Sequence, residues 1–137
     1  MARFFEFLVN HWVLSGLWLA LATTLLAYIN SKIASSLSPH QAVALVNRAN
    51  GVVLDVRERK EFDKGHIVDA VNIPFGKLHE RAIELEKSKD HPVIVVCQFG
   101  QQAGEAVKLL HAKGFAKANK LAGGLSEWQA QNLPLVK

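Results

Sequence analysis

Cysteine is nearly absent from this chain: it occurs once among 137 residues, at position 97. A single cysteine excludes an intramolecular disulfide, a CxxC redox pair and a cysteine-rich zinc site. The six histidines follow no HExxH motif or other paired-ligand spacing, so we expect neither a metal site nor a bound cofactor. Any sulfur nucleophile in this protein must therefore be Cys97.

A strong excess of charge of one sign is also missing. Sixteen basic and 12 acidic side chains give a net charge of +4. Nucleic-acid-binding domains typically carry a basic patch or stripe, and no stretch here interleaves basic with aromatic residues in that way. We therefore expect no nucleic-acid partner. Half of the residues are hydrophobic, and the length suffices for one compact domain with an additional segment.

Charged residues are absent altogether from the stretch WVLSGLWLALATTLLAYI, residues 12–29. A helix of this length measures about 27 Å at about 1.5 Å per residue, close to the hydrocarbon thickness of a bilayer. Trp12 and Tyr28 lie at its ends, where interfacial aromatic rings are common. The rest of the chain is too small to enclose a helix that is apolar on every face. The stretch predicts a transmembrane helix; the alternative is a cleaved signal peptide, since Ala34 and Ser36 are small and suitably spaced.

The chain divides after this apolar stretch. We assign residues 1–30 to an N-terminal segment that contains the transmembrane helix, residues 31–37 to a serine-rich tether, and residues 38–137 to a soluble domain. Basic residues are slightly more numerous on the C-terminal side of the helix, which favours a cytoplasmic location for that side. The pattern predicts a single-pass membrane protein with a cytoplasmic domain; a domain that faces the periplasm is the alternative.

Short apolar runs alternate with helical patterns in the soluble part. The runs of strand length are VVLDV (52–56), AVNIP (70–74), PVIVV (92–96) and the weaker, edge-like AKANKLA (116–122). Helical patterns cover 40–50 (begun by Ser38 as N-cap and Pro39), 59–62, 77–88, 102–113 and a last segment from 123. Apolar strands that alternate with helices indicate an α/β fold whose parallel sheet is covered on both faces. We expect PVIVV to be the central strand.

Cys97 follows PVIVV directly, where the strand gives way to a helix. Ligands of parallel sheets bind beyond the carboxyl ends of the strands. The first N–H groups of a helix have no partner within the helix and lie at the positive end of its dipole, so they stabilise an anionic sulfur. The alternative is that Cys97 is a small apolar residue that completes a buried strand. The residues around Cys97 leave both interpretations open.

Three stretches resemble signatures of the rhodanese family. LDVRERKEFDKGHIVDAVNIP (54–74) is similar to its first signature, VVCQFGQQAGEA (95–106) to its active-site loop, and LAGGLSEWQAQNLPL (121–135) to its C-terminal signature. They follow the family's order and spacing. The resemblance implies a three-layer α/β fold with a five-stranded parallel sheet, here preceded by one transmembrane helix. This arrangement is similar to bacterial family members that are attached to the inner membrane.

The resemblance also implies a chemistry. Family members are sulfurtransferases, in which a cysteine thiolate takes sulfane sulfur from a donor such as thiosulfate, carries it as a persulfide and passes it to a thiol or cyanide. The resemblance places the catalytic cysteine at Cys97. Asp55 and Arg57 match a pair that the family conserves, and we assign them structural support of loops near the site. The backbone N–H groups expected to surround the sulfur are those of Gln98, Phe99, Gly100, Gln101 and Gln102.

The loop departs from many family members at its last position, where Gln102 replaces a basic residue. No Arg or Lys occurs between Pro92 and Val107, so a persulfide on cysteine or on a carrier protein is a candidate donor beside anionic thiosulfate. Gln102 also disfavours a phosphatase, because phosphoryl transfer needs cationic stabilisation. The other alternative is an inactive rhodanese domain that serves as a membrane-tethered binding module and docks a membrane protein partner.

Overall fold

The computed structural model describes residues 1–32 and 36–137. The chain separates into two compact units, Met1–Ile33 and Ala34–Lys137. The tether predicted at residues 31–37 falls partly on residues 33–35, which lie outside the described residues.

The first unit consists of two helices, α1 (Ala2–Asn10) and α2 (Trp12–Lys32), separated by His11. The sequence pattern predicted α2 but did not distinguish α1 as a helix of its own. Within the described residues, α2 is the one helix long and apolar enough to cross a membrane, over Trp12–Ile29, and none of these residues is buried. A signal sequence near the N-terminus, the alternative given above, meets the same criteria of length and composition.

The second unit contains a five-stranded parallel sheet with the order β1-β5-β4-β2-β3. This confirms the predicted α/β class and the number of strands. The central strand is β4, which comes from PVIVV as expected. The strands are β1 (Ser36–Leu37), β2 (Val52–Asp55), β3 (Val71–Asn72), β4 (Val93–Val96) and β5 (Ala118–Leu121).

The presence of β1 shows that two expectations, about the tether and about the edge of the sheet, were wrong. Ser36 and Leu37, assigned to the tether, pair with Lys120 and Leu121 of β5. Strand β5 is therefore internal, between β1 and β4, and not the edge strand that its weak pattern suggested. A strand of two residues has no periodic signal, and it forms because a distant strand offers unpaired backbone groups.

The helices of the second unit follow the predicted pattern with one exception. The segment 77–88 is not one helix: 3₁₀ turns (Phe75–Lys77 and Ala82–Ser88) flank a single α-helical turn. A helical pattern does not separate α from 3₁₀ geometry over so few turns. The α-helices are α3 (Pro39–Ala49), α4 (Arg59–Lys64), α5 (Leu78–Arg81), α6 (Gln101–Ala112) and α7 (Gly124–Ala130).

Helix α3 shows how local sequence sets an element's ends. The Ser38 hydroxyl accepts a hydrogen bond from the Gln41 backbone N–H, and the Gln41 side chain accepts one from the Ser38 N–H. Ser38 as N-cap and Pro39 in the first turn are as the sequence predicts, and the reciprocal capping box with Gln41 was not predicted. Asn50 ends the helix in the left-handed conformation, with φ 54°.

The side chains of β4 divide between two apolar clusters. Val93 and Val95 belong to one cluster, and Ile94 and Val96 belong to the other. Because successive side chains of a strand point to opposite faces, the sheet is buried on both sides. All four residues are at most 1% exposed, so the strand is rigidly packed up to the residue that precedes Cys97.

Candidate functional site around Cys97

Cys97 lies at the carboxyl end of the central strand. Its side chain is 3% exposed, and its Sγ accepts a hydrogen bond from the Gly100 backbone N–H at 2.9 Å. Gly100 is the N-cap of α6 and has φ 95°, a left-handed conformation that glycine adopts without strain. This turn directs an N–H group at the sulfur. Within residues 36–137, no second hydrogen bond to Sγ is present.

The other residues of the predicted loop occupy different surroundings. Gln98 is half-buried, and Gln101 and Gln102 are exposed in the first turn of α6. Phe99 is 69% exposed, which is unusual for a phenylalanine in a folded domain. The loop thus holds the sulfur on its inner side and presents an aromatic ring and amide side chains on its outer side.

Helix α7 holds the loop through its backbone. The Leu125 N–H donates to the Cys97 carbonyl oxygen at 2.9 Å, and the Ser126 N–H donates to the Gln98 carbonyl oxygen at 3.1 Å. These donors belong to the first turn of α7, where N–H groups lack partners within the helix. The sequence did not predict that α7 holds this loop, although Gly123 and Gly124 lie in the stretch that is similar to the family's C-terminal signature. The glycine pair before a helix was the available signal.

Gly124 is required for this close approach, and its substitution tests the contact. A Cβ at Gly124 would overlap the Cys97 carbonyl oxygen and lie 2.7 Å from that of Gln98, in a backbone with φ 64°. We expect Gly124→Ala to lower the free energy of unfolding by about 2 to 4 kcal/mol, from overpacking and left-handed strain. Chemical denaturation of the full chain in detergent, followed by circular dichroism, measures this change.

Gly104→Ala is the matched control for that substitution. Gly104 lies within α6, and a Cβ there would meet no atom within 4 Å. We expect it to be neutral or to stabilise by up to about 1 kcal/mol, since alanine is the better helix former. Equal stability of the Gly124→Ala variant and the unmodified chain would contradict the close packing of α7 on the loop.

The carboxylate of Asp55 and the guanidinium of Arg57 form a buried ion pair beside the loop. Asp55 ends β2 opposite Val96. The Arg57 Nη2 donates to Asp55 Oδ2 at 2.7 Å, and the Arg57 backbone N–H donates to Oδ1 at 3.0 Å. Nη2 also donates to the Gly65 carbonyl oxygen at 2.8 Å, which ties the end of β2 to the end of α4. These contacts agree with a role in loop support.

Asn72 completes this network, and it was not among the residues predicted from the sequence. Its side-chain Nδ2 donates to the carbonyl oxygens of Asp55 and Arg57, at 3.1 and 2.9 Å. The one polar side chain in the apolar run AVNIP was the signal that could have found it. The segment that leads out of β2 is therefore held by hydrogen bonds to the Asp55 carboxylate and to the main-chain carbonyl oxygens of Asp55 and Arg57.

Other residues of the three family-like stretches have structural contacts. The His66 ring stacks on Phe62, with ring centroids 3.8 Å apart, and the His66 backbone pairs with Val136 in both directions at 2.8 Å. Trp128 is 6% exposed and lies in the core, with its Nε1 donating to the Pro134 carbonyl oxygen. None of these contacts involves the sulfur.

A polar cleft of about 170 Å³ opens beside Gln98. The hydrogen bond from Lys64 and its positive charge hold the pKa of the exposed Glu61 carboxyl below its usual value. The cleft is lined by side chains from the segment after β2 (Arg57), from α4 (Glu61 and Lys64), from the Cys97 loop (Gln98) and from α7 (Gln129). Glu61, Lys64 and Gln129 were not among the predicted site residues, because no local sequence feature connects them to position 97.

The chain is similar in sequence to a known family and to individual proteins. Residues 38–131 match the family model described as a rhodanese-like domain. The chain is 36% identical to the uncharacterized protein YibN of Escherichia coli K12, over all of this chain and 99% of that protein. It is 30% identical to the thiosulfate sulfurtransferase GlpE of Coxiella burnetii, over 67% of this chain and 84% of that protein.

A solved structure shares the fold. The crystal structure of a rhodanese-related protein from Thermoplasma volcanium superposes with a TM-score of 0.68 at 29% identity. The match covers 74% of this chain and 97% of the other.

Proposed function

This chain belongs to the rhodanese-like domain family, and from that premise we propose that it is a membrane-anchored sulfurtransferase that carries sulfane sulfur as a persulfide on Cys97. The position of the sulfur supports this proposal most directly. It lies at the carboxyl end of the central strand, and the Gly100 N–H donates to it at 2.9 Å. A hydrogen-bond donor beside the sulfur stabilises the anionic forms that the chemistry requires.

The proposed reaction has two displacement steps. The Cys97 thiolate attacks the sulfane sulfur of the donor, a new S–S bond forms, and the bond within the donor breaks. With thiosulfate as donor, sulfite leaves with the bonding electron pair. An acceptor thiolate then attacks the outer sulfur of the Cys97 persulfide, which releases the Cys97 thiolate and leaves the persulfide on the acceptor. No net oxidation or reduction of the protein occurs over the cycle.

The composition of the loop supports a preference among donors. No Arg or Lys lies between Pro92 and Val107, and Gln102 is exposed at the place where many family members have a basic residue. Thiosulfate would therefore lack a charge-assisted contact from the loop. A persulfide carried on cysteine or on a protein needs no such contact, and the exposed Phe99 ring offers an apolar surface for a protein-borne partner.

We further propose that α2 anchors the protein in the bacterial inner membrane, with the rhodanese-like domain in the cytoplasm. The apolar stretch Trp12–Ile29 is long enough to span the hydrocarbon layer. The slight excess of basic residues after it supports the orientation. The anchor would confine sulfur transfer to acceptors that reach the membrane surface.

Sulfur loading tests the catalytic proposal. After purified full-length protein in detergent is incubated with thiosulfate or with a low-molecular-weight persulfide, we expect the intact mass to increase by one sulfur atom. Dithiothreitol should remove the adduct, because a persulfide is reduced by thiols. The low-molecular-weight persulfide should load the protein more completely than thiosulfate. If no sulfane donor produces the adduct, the inactive binding module becomes the better description.

A further inference from the structure

Helix α1 (Ala2–Asn10) segregates polar from apolar side chains. Arg3, Glu6 and Asn10 are spaced by three and four residues, so they share one face of the helix. The apolar side chains occupy the rest of the surface, and none of the helix's residues is buried. The larger apolar residues and their exposed fractions are Phe4 (60%), Phe5 (61%), Phe7 (58%) and Val9 (75%).

The apolar face of α1 continues into the start of α2. The two helices enclose an apolar groove of about 500 Å³, to which α1 contributes Phe4, Phe7 and Leu8. At the turn, the Phe7 and His11 rings lie 4.8 Å apart, and the Ser15 hydroxyl donates to the Leu8 carbonyl oxygen at 3.4 Å. The groove and the phenylalanine face thus form one apolar surface within this unit.

The position of α1 in the chain indicates what covers this surface. The apolar stretch of α2 begins at Trp12, one residue after His11 and two after the end of α1. If α2 spans a bilayer, the C-terminal end of α1 lies at the membrane surface. Its nine residues measure about 14 Å, and in water they would expose three aromatic rings on one side. Parallel to the surface, the same rings enter the acyl region while the polar face stays hydrated.

We propose that α1 is an interfacial helix that lies along the boundary between lipid headgroups and acyl chains. Its phenylalanines point into the bilayer, and Arg3, Glu6 and Asn10 point to water. The guanidinium of Arg3 lies where it attracts anionic headgroups. The inference rests on the proposed insertion of α2. It gives the anchor two elements, one that spans the bilayer and one that lies on it.

Single-cysteine labelling of the full chain tests this placement. In a Cys97→Ser background, which has no other cysteine, Phe5→Cys and Glu6→Cys introduce probes about 100° apart around α1, one on its apolar surface and one on its polar face. Both positions lie at nearly the same distance from α2. Leu21→Cys, in the middle of the apolar stretch, reports whether α2 is inserted. Each variant is labelled with an environment-sensitive fluorophore in vesicles of phosphatidylcholine and phosphatidylglycerol, and is quenched by aqueous iodide or by nitroxide lipids.

We expect the position 5 probe to emit at shorter wavelength than the position 6 probe and to be quenched several-fold less by iodide and several-fold more by nitroxide lipids. The position 21 probe should be protected from iodide. If position 21 is protected but positions 5 and 6 are equally open to iodide, α1 extends into water and the proposal is wrong although the anchor stands. A position 5 probe shielded from both quenchers would mean that protein covers this face, which also overturns the proposal. Iodide access to position 21 would refute membrane insertion itself.

Discussion

We expect Cys97→Ser to abolish sulfur transfer without unfolding the domain. Serine has nearly the size of cysteine, and its hydroxyl oxygen accepts the Gly100 N–H that Sγ accepts now. A hydroxyl is not ionised at neutral pH and forms no persulfide, and the chain has no second thiol. Loss of a catalytic nucleophile costs on the order of 10³-fold or more in rate.

The variant is compared with the unmodified chain by intact mass after exposure to a sulfane donor and by the rate at which an acceptor thiol gains sulfur. Circular dichroism and a thermal melt provide the control for folding. A variant that still transfers sulfur at a measurable fraction of the original rate would refute Cys97 as the carrier. A variant that fails to fold would instead assign Cys97 a packing role, in keeping with its 3% exposure.

The second large effect that we expect is a loss of stability when the buried ion pair of Asp55 and Arg57 is broken. In Asp55→Ala the guanidinium of Arg57 keeps its buried position, 7% exposed, but loses the carboxylate that compensates its charge. Removal of one partner from such a pair costs about 3 to 5 kcal/mol of stability. Sulfur loading per folded molecule should change little, because the Asp55 carboxylate accepts its hydrogen bonds from Arg57 and not from the Cys97 loop.

A surface pair in the same unit is the control. Arg59 and Asp63 are linked at 3.0 Å, but their side chains are 72% and 58% exposed. We expect Asp63→Ala to change the free energy of unfolding by no more than about 1 kcal/mol, as for other exposed pairs. Denaturant titration in detergent measures both variants. If Asp55→Ala unfolds as the unmodified chain does but loses its sulfur loading, the pair acts in the chemistry and our structural assignment is wrong.

The features predicted from sequence are those whose causes lie close together in the chain. The start of α3 at Ser38 and Pro39 and the helix that follows Cys97 depend on neighbours within a few residues. The central place of β4 followed from PVIVV, because a strand buried on both faces must be apolar at every position. The resemblance to the rhodanese family also rested on local features, because each of its three motifs is a continuous stretch of sequence.

Strand pairing and the surroundings of the loop depend on residues far apart in the chain. Ser36 and Leu37 form β1 only because β5 is free on that side, so the boundary of the domain and the internal place of β5 escaped prediction. The 3₁₀ turns around α5 show the same limit at a smaller scale. Hydrophobic periodicity predicts which side chains face the core. It does not predict which backbone groups form hydrogen bonds with each other.

The sequence by itself determined which atom of this protein could carry sulfur and at which end of which strand it would lie. One cysteine at a strand–helix junction leaves no other candidate. Only the tertiary structure decided what holds that atom's loop: the first turn of α7 donates to the carbonyl oxygens of Cys97 and Gln98, and Asn72 holds the chain beyond Asp55. These hydrogen bonds join segments that meet only when the sheet is assembled, because a backbone group's partner is set by three-dimensional proximity and not by its neighbours in sequence.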